Sequence, residues 1–271
     1  MKRLSLLVIV SLAAALGACS SGPPKPSPAA LAELAPTGKL RAAINFGNPV
    51  LASKDPASGE ARGVSVDLSR ELARRLGVPL EIVPYAAAGR VVDAVKTGAW
   101  DVAYVAIDPQ RGKDMIQSPP YVVIEGSYLV PVESPIRSNA EVDRDGVRIA
   151  VGKGSAYDLF LTREIRRAML VRAPTSPEVV STMIRENLEV AAGVRQQLEA
   201  DAKRTAGVRV LPGRFMVINQ AMAVPRGRDN GARYVRDFIE EMKAGGFVAQ
   251  SLVLHKVDGA AVAGPADPRE R

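Results

Sequence analysis

The chain has 271 residues, of which 47% are hydrophobic and 24% charged, and these proportions are typical of a soluble globular body. Its formal net charge of +7 would suit a nucleic-acid partner, but aromatic residues make up only 4% and do not interleave with a basic run. We therefore expect no nucleic-acid partner, and we expect the arginines to lie on solvated helix faces.

The N-terminal residues 1–18 have the pattern of an export signal. Lys2 and Arg3 precede an apolar run over 4–16 that is too short to span a bilayer comfortably. The run ends in LGAC at 16–19, which is similar to the lipobox of bacterial lipoproteins, and Cys19 is the only cysteine of the chain. We predict a cleaved signal peptide and a lipid anchor on Cys19, hence a periplasmic or cell-envelope location. The alternative is an ordinary signal peptide with an incidental cysteine.

The segments that flank the predicted folded body have unusual compositions. Residues 19–37 are rich in proline and small polar residues, which predicts a semi-extended tether without a core. Residues 259–271 are small, charged and aperiodic, which predicts a disordered tail. About 220 residues remain between the two segments, enough for two lobes of ordinary domain size.

Apolar periodicity and turn residues predict alternating strands and helices along the body. The first predicted elements are a strand at 40–46, a helix at 64–76, a strand at 79–84, a helix ended by Gly98, and a strand at 100–107. They are followed by a strand at 147–151, a helix at 156–169, a helix beginning at Ser176, a strand at 188–192, a helix at 194–205, strands at 208–211 and 219–224, and helices at 231–244 and 247–254. This alternation predicts an α/β fold of parallel sheets with right-handed crossovers.

Four motifs occur in order along residues 38–254. They are GVSVDL at 63–68, RVVDAVKTGAWD at 90–101 leading to Arg111, Pro120-Tyr121, and GVRIAV at 146–151 followed by Gly154-Ser155. In this order they resemble the extracytoplasmic solute-binding proteins of family 3, which supply ABC transporters with amino acids and related small solutes. The resemblance implies a two-lobed, type II periplasmic-binding-protein fold, in which a ligand cleft separates two mostly parallel sheets flanked by helices.

The resemblance also implies how the chain divides into lobes. Lobe 1 would be discontinuous and contain 38–122 and 221–258, and lobe 2 would contain 123–220. Two crossings between the lobes would form a hinge, so a ligand that touches both lobes favours the closed form. We expect that closed form to be the state that an ABC permease in the inner membrane recognises.

By the same resemblance, Arg111 binds the carboxylate of the ligand, because its planar guanidinium can form two parallel hydrogen bonds with a carboxylate. The alternative is a surface salt bridge with Asp114. Gly154 and Ser155 precede a predicted helix, whose free backbone N–H groups and the Ser155 hydroxyl would make an anion site. The alternative there is simple helix capping by Ser155.

Further candidates lie in two loops and beside a later strand. Asn45 and Asn48 could hydrogen-bond a solute that Phe46 covers, or their loop could be plain turn chemistry. Relatives that bind α-amino acids usually hold the ammonium with an aspartate in lobe 2, but Arg195 lies near that place and no acid does. We predict that Arg195 attracts a second anion. Asp108 could replace the ammonium contact from lobe 1, or cap a turn.

The motifs together predict the substrate-binding component of an ABC importer, which captures a small carboxylate-bearing solute by closure of its two lobes. We expect no catalysis, because the one histidine, His255, falls at the end of a terminal helix, and no cofactor or metal, because no ligand cluster is apparent. We expect a monomer, because no heptad seam is evident. The alternatives are a ligand-sensing lipoprotein without transport and a dehydratase-like enzyme on the same fold.

Overall fold

A computed structural model describes residues 25–267, and strands and helices alternate along most of this range. The strands are β1 (Leu40–Asn45), β2 (Ser53–Lys54), β3 (Ala61–Arg62), β4 (Leu80–Tyr85), β5 (Val102–Ala106), β6 (Met115–Pro131), β7 (Arg148–Gly152), β8 (Met169–Ala173), β9 (Val190–Val194), β10 (Val208–Val210), β11 (Met216–Pro225) and β12 (Ala261–Val262). The α-helices are α1 (Pro28–Leu34), α2 (Val64–Leu76), α3 (Ala88–Asp93), α4 (Ala156–Glu164), α5 (Val179–Arg185), α6 (Arg195–Arg204), α7 (Asp229–Ala244) and α8 (Phe247–Leu254). Short 3-10 turns occupy Ala94–Thr97, Arg111–Lys113, Asn139–Glu141 and Ser176–Glu178.

Two long antiparallel strands, β6 and β11, join the two halves of the molecule. The main sheet has the order β4-β1-β5-β11-β6-β9-β7-β8, with β10 and β12 added to β6. On one side the strands β4, β1 and β5 are parallel, and on the other side β9, β7 and β8 are parallel. The lobe boundaries predicted near residues 122 and 221 therefore fall inside the two joining strands. The half with β1 is called lobe 1 below, and the half with β7 lobe 2.

The core of lobe 1 follows directly from the sequence pattern. Every residue of β5 is buried, as expected for a parallel strand that is covered on both faces. Leu68 and Leu72 of α2 are fully buried four residues apart, and Gly77 ends the helix in the left-handed conformation, with φ 69°. The indole of Trp100 donates to the carbonyl of Val91 at 3.0 Å, so the predicted turn between α3 and β5 is fastened to the core.

One predicted helix is too long, and several strands were not predicted, namely β2, β3, β6, β8 and β12. The sequence pattern extends a helix to residue 169, but α4 ends at Glu164 and β8 follows it. The cause is Asp143, whose carboxylate accepts the backbone N–H groups of Arg166, Arg167 and Ala168 at 2.8–2.9 Å. Because these N–H groups bond to a side chain, they are not available to continue the helix.

The segment predicted as a tether over 19–37 contains a packed helix. Ser27 caps α1 by accepting the N–H of Ala30 at 3.1 Å, and the proline at the first helical position suits that place. Leu34 is fully buried against the start of α7, and the Glu33 carboxylate accepts the N–H of Gly231 at 2.7 Å. The proline-rich composition therefore corresponds here to a helix start rather than to an extended chain.

The segment predicted as a disordered tail is paired with the sheet. In β12, Ala261 and Val262 lie opposite Val123 and Val122 of β6. The next residue, Ala263, is buried and donates its N–H to the carbonyl of Tyr121 at 3.2 Å. The small residues of this segment show no apolar periodicity in the sequence, but in the structure they pack against β6.

The predicted signal peptide and the lipidation site Cys19 lie outside the described residues, which begin at Lys25. Within 25–267, no helix has both the length and the apolar character needed to cross a bilayer. Export, cleavage and lipidation thus stay predictions.

Candidate ligand-binding site

A cavity lies between the two lobes, where the ends of β1 and β5 face the beginning of α4. Its volume is about 40 Å³, room for about three water molecules. Among the described residues that line it, Arg111 is the one with a formal charge. The other polar residues of the lining are Asn45, Asn48, Ser65, Tyr104, Ser155, Tyr157, Ser176, Gln197 and Gln220. The cavity is therefore polar and carries a single positive charge.

Arg111 is buried in this cavity and hydrogen-bonds to neutral groups. It is 2% exposed, and its Nη1 and Nη2 donate to the carbonyls of Ala106 at 2.9 Å and Gly154 at 3.0 Å. Its Nε is buried and has no partner among the described residues. Burial lowers the pKa of Arg111 from 12.5 to about 10, against the attraction of Asp108, so the group is still a cation at neutral pH. A buried cation without a facing carboxylate favours an anionic ligand.

The alternative partner for Arg111 is engaged elsewhere. The carboxylate of Asp114 lies 3.2 Å from Nζ of Lys96, not against the guanidinium of Arg111. The short 3-10 turn that begins at Arg111 turns the side chain inward after β5. The predicted position of Arg111 at the cleft thus agrees with the geometry, whereas the alternative, a surface salt bridge with Asp114, does not.

The start of α4 lines the cavity, but its capping groups are satisfied within the chain. Ser155 Oγ accepts the N–H of Asp158 at 3.0 Å, and Asp158 Oδ2 accepts the N–H of Gly154 at 2.8 Å. The Asp158 carboxylate also pairs with Arg172 at 3.0 Å. A carboxylate of the chain therefore occupies the helix end, which is the capping arrangement rather than an open anion site. What this end offers the opposite lobe is the Gly154 carbonyl, which accepts from Arg111.

The backbones of the two lobes lie close together at a pair of glycines. A Cβ atom on Gly154, where φ is +70°, would lie 2.8 Å from the Cα of Gly89, and such a contact is too short for any side chain. Gly154 is thus required both by its positive φ and by the backbone of the facing lobe.

The loop after β1 contributes two of its three predicted residues. Asn45 Oδ1 accepts the N–H of Gly47 at 3.0 Å, so this side chain shapes the turn while it lines the cavity. Asn48 Oδ1 is buried in the lining without a partner among the described residues. Phe46 does not line the cavity, and its ring lies under Nζ of Lys54, 5.6 Å from the ring centroid. This loop therefore combines turn chemistry with two side chains in the lining of the cavity.

Asp108 and Arg195 do not line the cavity, because each is paired with a distant residue. Asp108 Oδ2 lies 2.9 Å from Nη2 of Arg163, in the opposite lobe. Arg195 Nε lies 2.9 Å from the carboxylate of Glu125, which also binds Arg214 at 2.6 Å. The predicted roles of Asp108 at an ammonium and Arg195 at a second anion are thus not supported by their positions.

Several lining residues were missed by the sequence analysis. Gln197 lies in the first turn of α6, two residues after Arg195, and Gln220 lies in β11. The charge of Arg195 made it the candidate in the sequence. On a helix, however, Gln197 faces a different direction from Arg195, and Gln197 is the one that lines the cavity. The sequence analysis gives Ser176 only as the start of a helix, yet it lines the cavity and its Oγ accepts from the Tyr157 hydroxyl at 2.8 Å.

Two tyrosines of lobe 1 hold hydroxyl groups beside the cavity. The Tyr104 hydroxyl lies 3.0 Å from Ser69 Oγ, and burial raises the pKa of Tyr104 well above its usual 10.0. Its ring meets that of Tyr121 edge to face, with centroids 5.9 Å apart, and the Tyr121 hydroxyl lies 3.1 Å from Ser65 Oγ. These hydroxyls are therefore neutral at physiological pH and held in place.

The two lobes, the joining strands and the polar cavity between them define a two-lobed solute-binding protein with the type II periplasmic-binding fold, and the predicted fold class is confirmed. The chain belongs to the bacterial extracellular solute-binding proteins, family 3, whose profile matches residues 40–252. Among curated proteins, no sequence matches the chain.

Solved structures share the fold at low identity. An amino acid ABC transporter substrate-binding protein from Streptococcus pneumoniae bound to L-arginine is 20% identical, with a TM-score of 0.71 over 86% of this chain and 99% of that chain. The solute receptor for L-cysteine of Neisseria gonorrhoeae is 22% identical, with a TM-score of 0.74 over 84% and 94%. An ancestral amino acid-binding protein, a precursor of cyclohexadienyl dehydratase, is 22% identical, with a TM-score of 0.70 over 83% and 98%.

Proposed function

We propose that this protein is the substrate-binding component of an ABC importer and that it captures a small carboxylate-bearing solute between its lobes. The observation that carries the proposal is Arg111, a buried cation in the cavity with no carboxylate against it. An isolated buried charge is unfavourable, and a carboxylate ligand would neutralise it. The structural relatives that bind amino acids are consistent with this ligand class.

Closure of the lobes would couple binding to delivery. Arg111 of lobe 1 reaches the Gly154 carbonyl of lobe 2, so the ligand-binding cation is itself part of the contact between lobes. A ligand that neutralises Arg111 would stabilise the closed arrangement by its differential affinity for that state. The closed form would then dock on a permease of the inner membrane. The lipid anchor on Cys19, the periplasmic location and the monomeric state belong to the same proposal.

Catalysis is not part of this proposal. Among the described residues that line the cavity, none is an aspartate, glutamate, histidine, lysine or cysteine. Burial raises the pKa of the Tyr104 hydroxyl well above its usual 10.0. A dehydratase needs a group that exchanges a proton near neutral pH, so the lining favours binding over turnover.

Thermal-shift screening of the protein without its predicted signal peptide, against amino acids, keto acids, hydroxy acids and dicarboxylates, tests the proposal. A ligand at about one hundred times its dissociation constant should stabilise the fold by about 2.7 kcal/mol. The shift should vanish in Arg111→Ala and persist in Arg185→Ala, a control arginine that is exposed and paired with Glu186 at 2.9 Å. A folded protein that binds no carboxylate, or that binds one equally well without Arg111, contradicts the proposal. Uptake of the bound solute by cells with and without this gene then separates transport from sensing.

A further inference from the structure

The cavity has an unbalanced charge. Arg111 supplies one positive charge to the lining, and no described lining residue supplies a negative charge. A monoanionic ligand therefore leaves the closed cavity neutral. An α-amino acid brings a carboxylate and an ammonium together, so the cavity with that ligand keeps one positive charge that has no partner.

Two carboxylates that lie close in sequence to the lining are already engaged. Asp108 pairs with Arg163 at 2.9 Å, and Asp158 pairs with Arg172 while it caps α4. Asp108 is 4% exposed and Asp158 is 5% exposed, so each buried carboxylate depends on the arginine that it already has. Neither of these two carboxylates is therefore a free counter-charge for an ammonium, and no described lining residue is acidic.

One hydrogen-bond acceptor of the lining has no partner, and it indicates which group of the ligand replaces the ammonium of an amino acid. Asn48 Oδ1 is the buried side-chain oxygen of the lining that has no hydrogen-bond partner among the described residues. A buried acceptor without a partner is unfavourable, so a ligand that donates one hydrogen bond to Asn48 Oδ1 is stabilised. A hydroxyl donates one hydrogen bond and carries no charge.

From these observations we infer that the ligand is a small 2-hydroxy monocarboxylate and that the cavity discriminates against the corresponding α-amino acid. The carboxylate lies on Arg111 and the hydroxyl on Asn48. The inference rests on the proposed function, because it specifies the solute of the same cleft.

Matched pairs of ligands that differ only at the α-substituent test the inference. L-lactate is compared with L-alanine, and L-2-hydroxyisovalerate with L-valine, by isothermal titration calorimetry on the protein without its predicted signal peptide. We expect the hydroxy acid of a pair to bind at least about tenfold more tightly, because the amino acid leaves an uncompensated charge in the cavity.

Two variants place a carboxylate in the cavity. Asn48→Asp does so from lobe 1 and Gln197→Glu from lobe 2, and the second serves if the first fails to fold. Each variant should bind the hydroxy acid more weakly and the amino acid more tightly. The ratio of the affinity for the hydroxy acid to that for the amino acid should therefore fall about tenfold or invert. Asn187→Asp, at a position that does not line the cavity, is the matched control and should leave the ratio unchanged.

The outcomes separate the two proposals. Amino acids that bind as tightly as their hydroxy counterparts overturn this inference and leave the proposed function intact. A ratio that neither carboxylate variant changes also overturns it, since the charge of the cavity would then not control selectivity. If no carboxylate of either class binds the folded protein, the proposed function fails together with the inference.

Discussion

Arg163 and Asp108 form an ion pair that joins the two lobes. Nη2 of Arg163, in α4, lies 2.9 Å from Oδ2 of Asp108, which follows β5. The Asp108 side chain is 4% exposed and that of Arg163 is 36% exposed, so the carboxylate depends on this partner more than the guanidinium does. The Asp108 carbonyl also accepts the N–H of Arg111 at 3.1 Å, so the pair lies one turn from the buried guanidinium of the cavity.

We predict that Arg163→Ala lowers the affinity for the tightest-binding carboxylate about fivefold, although Arg163 does not line the cavity. The closed form loses a contact that the open form does not make, so the equilibrium shifts toward the open form. Calorimetric affinity and the radius of gyration of the ligand-free protein in small-angle scattering measure the two consequences. Arg185→Ala is the matched control, and an unchanged affinity with unchanged scattering would show that the pair does not bias closure.

A second prediction concerns Arg75, which links α2 to α7. Its guanidinium lies 2.7 Å from Glu241, 2.8 Å from Glu71 and 5.2 Å from the ring centroid of Phe238, and the side chain is 8% exposed. We expect Arg75→Ala to lower the free energy of unfolding by about 2 kcal/mol, because Glu71, Glu241 and the Phe238 ring all lose their contact with the guanidinium. Arg74→Ala, at a side chain 66% exposed on the same Glu71, should cost less than about 1 kcal/mol. Urea unfolding of the two variants gives the comparison, and equal losses would contradict it.

The same cluster predicts a dependence of stability on pH. The hydrogen bond from Arg74, aided by Arg75 and opposed by burial, lowers the pKa of Glu71 from 4.5 to about 2. A carboxyl with a depressed folded-state pKa stabilises the fold above its unfolded-state value, and this contribution is lost as the pH falls from about 4.5 toward 2. The urea midpoint of the wild type should therefore fall more steeply between pH 6 and pH 3 than that of Glu71→Gln. Parallel pH profiles would rule out this role of Glu71.

The sequence predicts correctly those strands and helices that interactions between neighbouring residues determine. The apolar run before Arg111 predicts a buried strand, and the leucines of α2 followed by Gly77 predict a helix with its end, because neighbouring residues decide both. Asp108 and Arg195 were misplaced because their partners, Arg163 and Glu125, lie 55 and 70 residues away. No periodicity in the sequence encodes such a pairing.

The flanking segments show a different limit. Ser27 followed by Pro28 is a helix-start signal of the same kind that was recognised at Ser176, but the surrounding prolines suggested a tether. Whether a short helix such as α1 persists depends on tertiary contact, and here Leu34 has that contact with α7. The composition of a segment does not contain information about the surface of the protein against which the segment packs.

The last prediction is that removal of 259–271 destabilises the protein. This segment adds β12 to β6, and it is fastened to α7 by Lys243, whose Nζ donates to the Gly264 carbonyl at 2.8 Å, and by Glu240, whose carboxylate accepts the N–H of Ala266 at 3.1 Å. Because several hydrogen bonds and the burial of Ala263 are lost together, we expect the free energy of unfolding to fall by about 2 kcal/mol.

Urea unfolding of two truncated chains tests this prediction. One chain ends at Asp258 and the other at Asp267, and the second removes only residues that lie beyond the described range. The chain that ends at Asp267 should unfold like the full-length protein. Since β12 pairs with the strand that joins the lobes, the shorter chain should also show a larger radius of gyration without ligand. If both truncated chains unfold at the same urea concentration, the tail does not contribute to stability and its pairing with β6 is incidental.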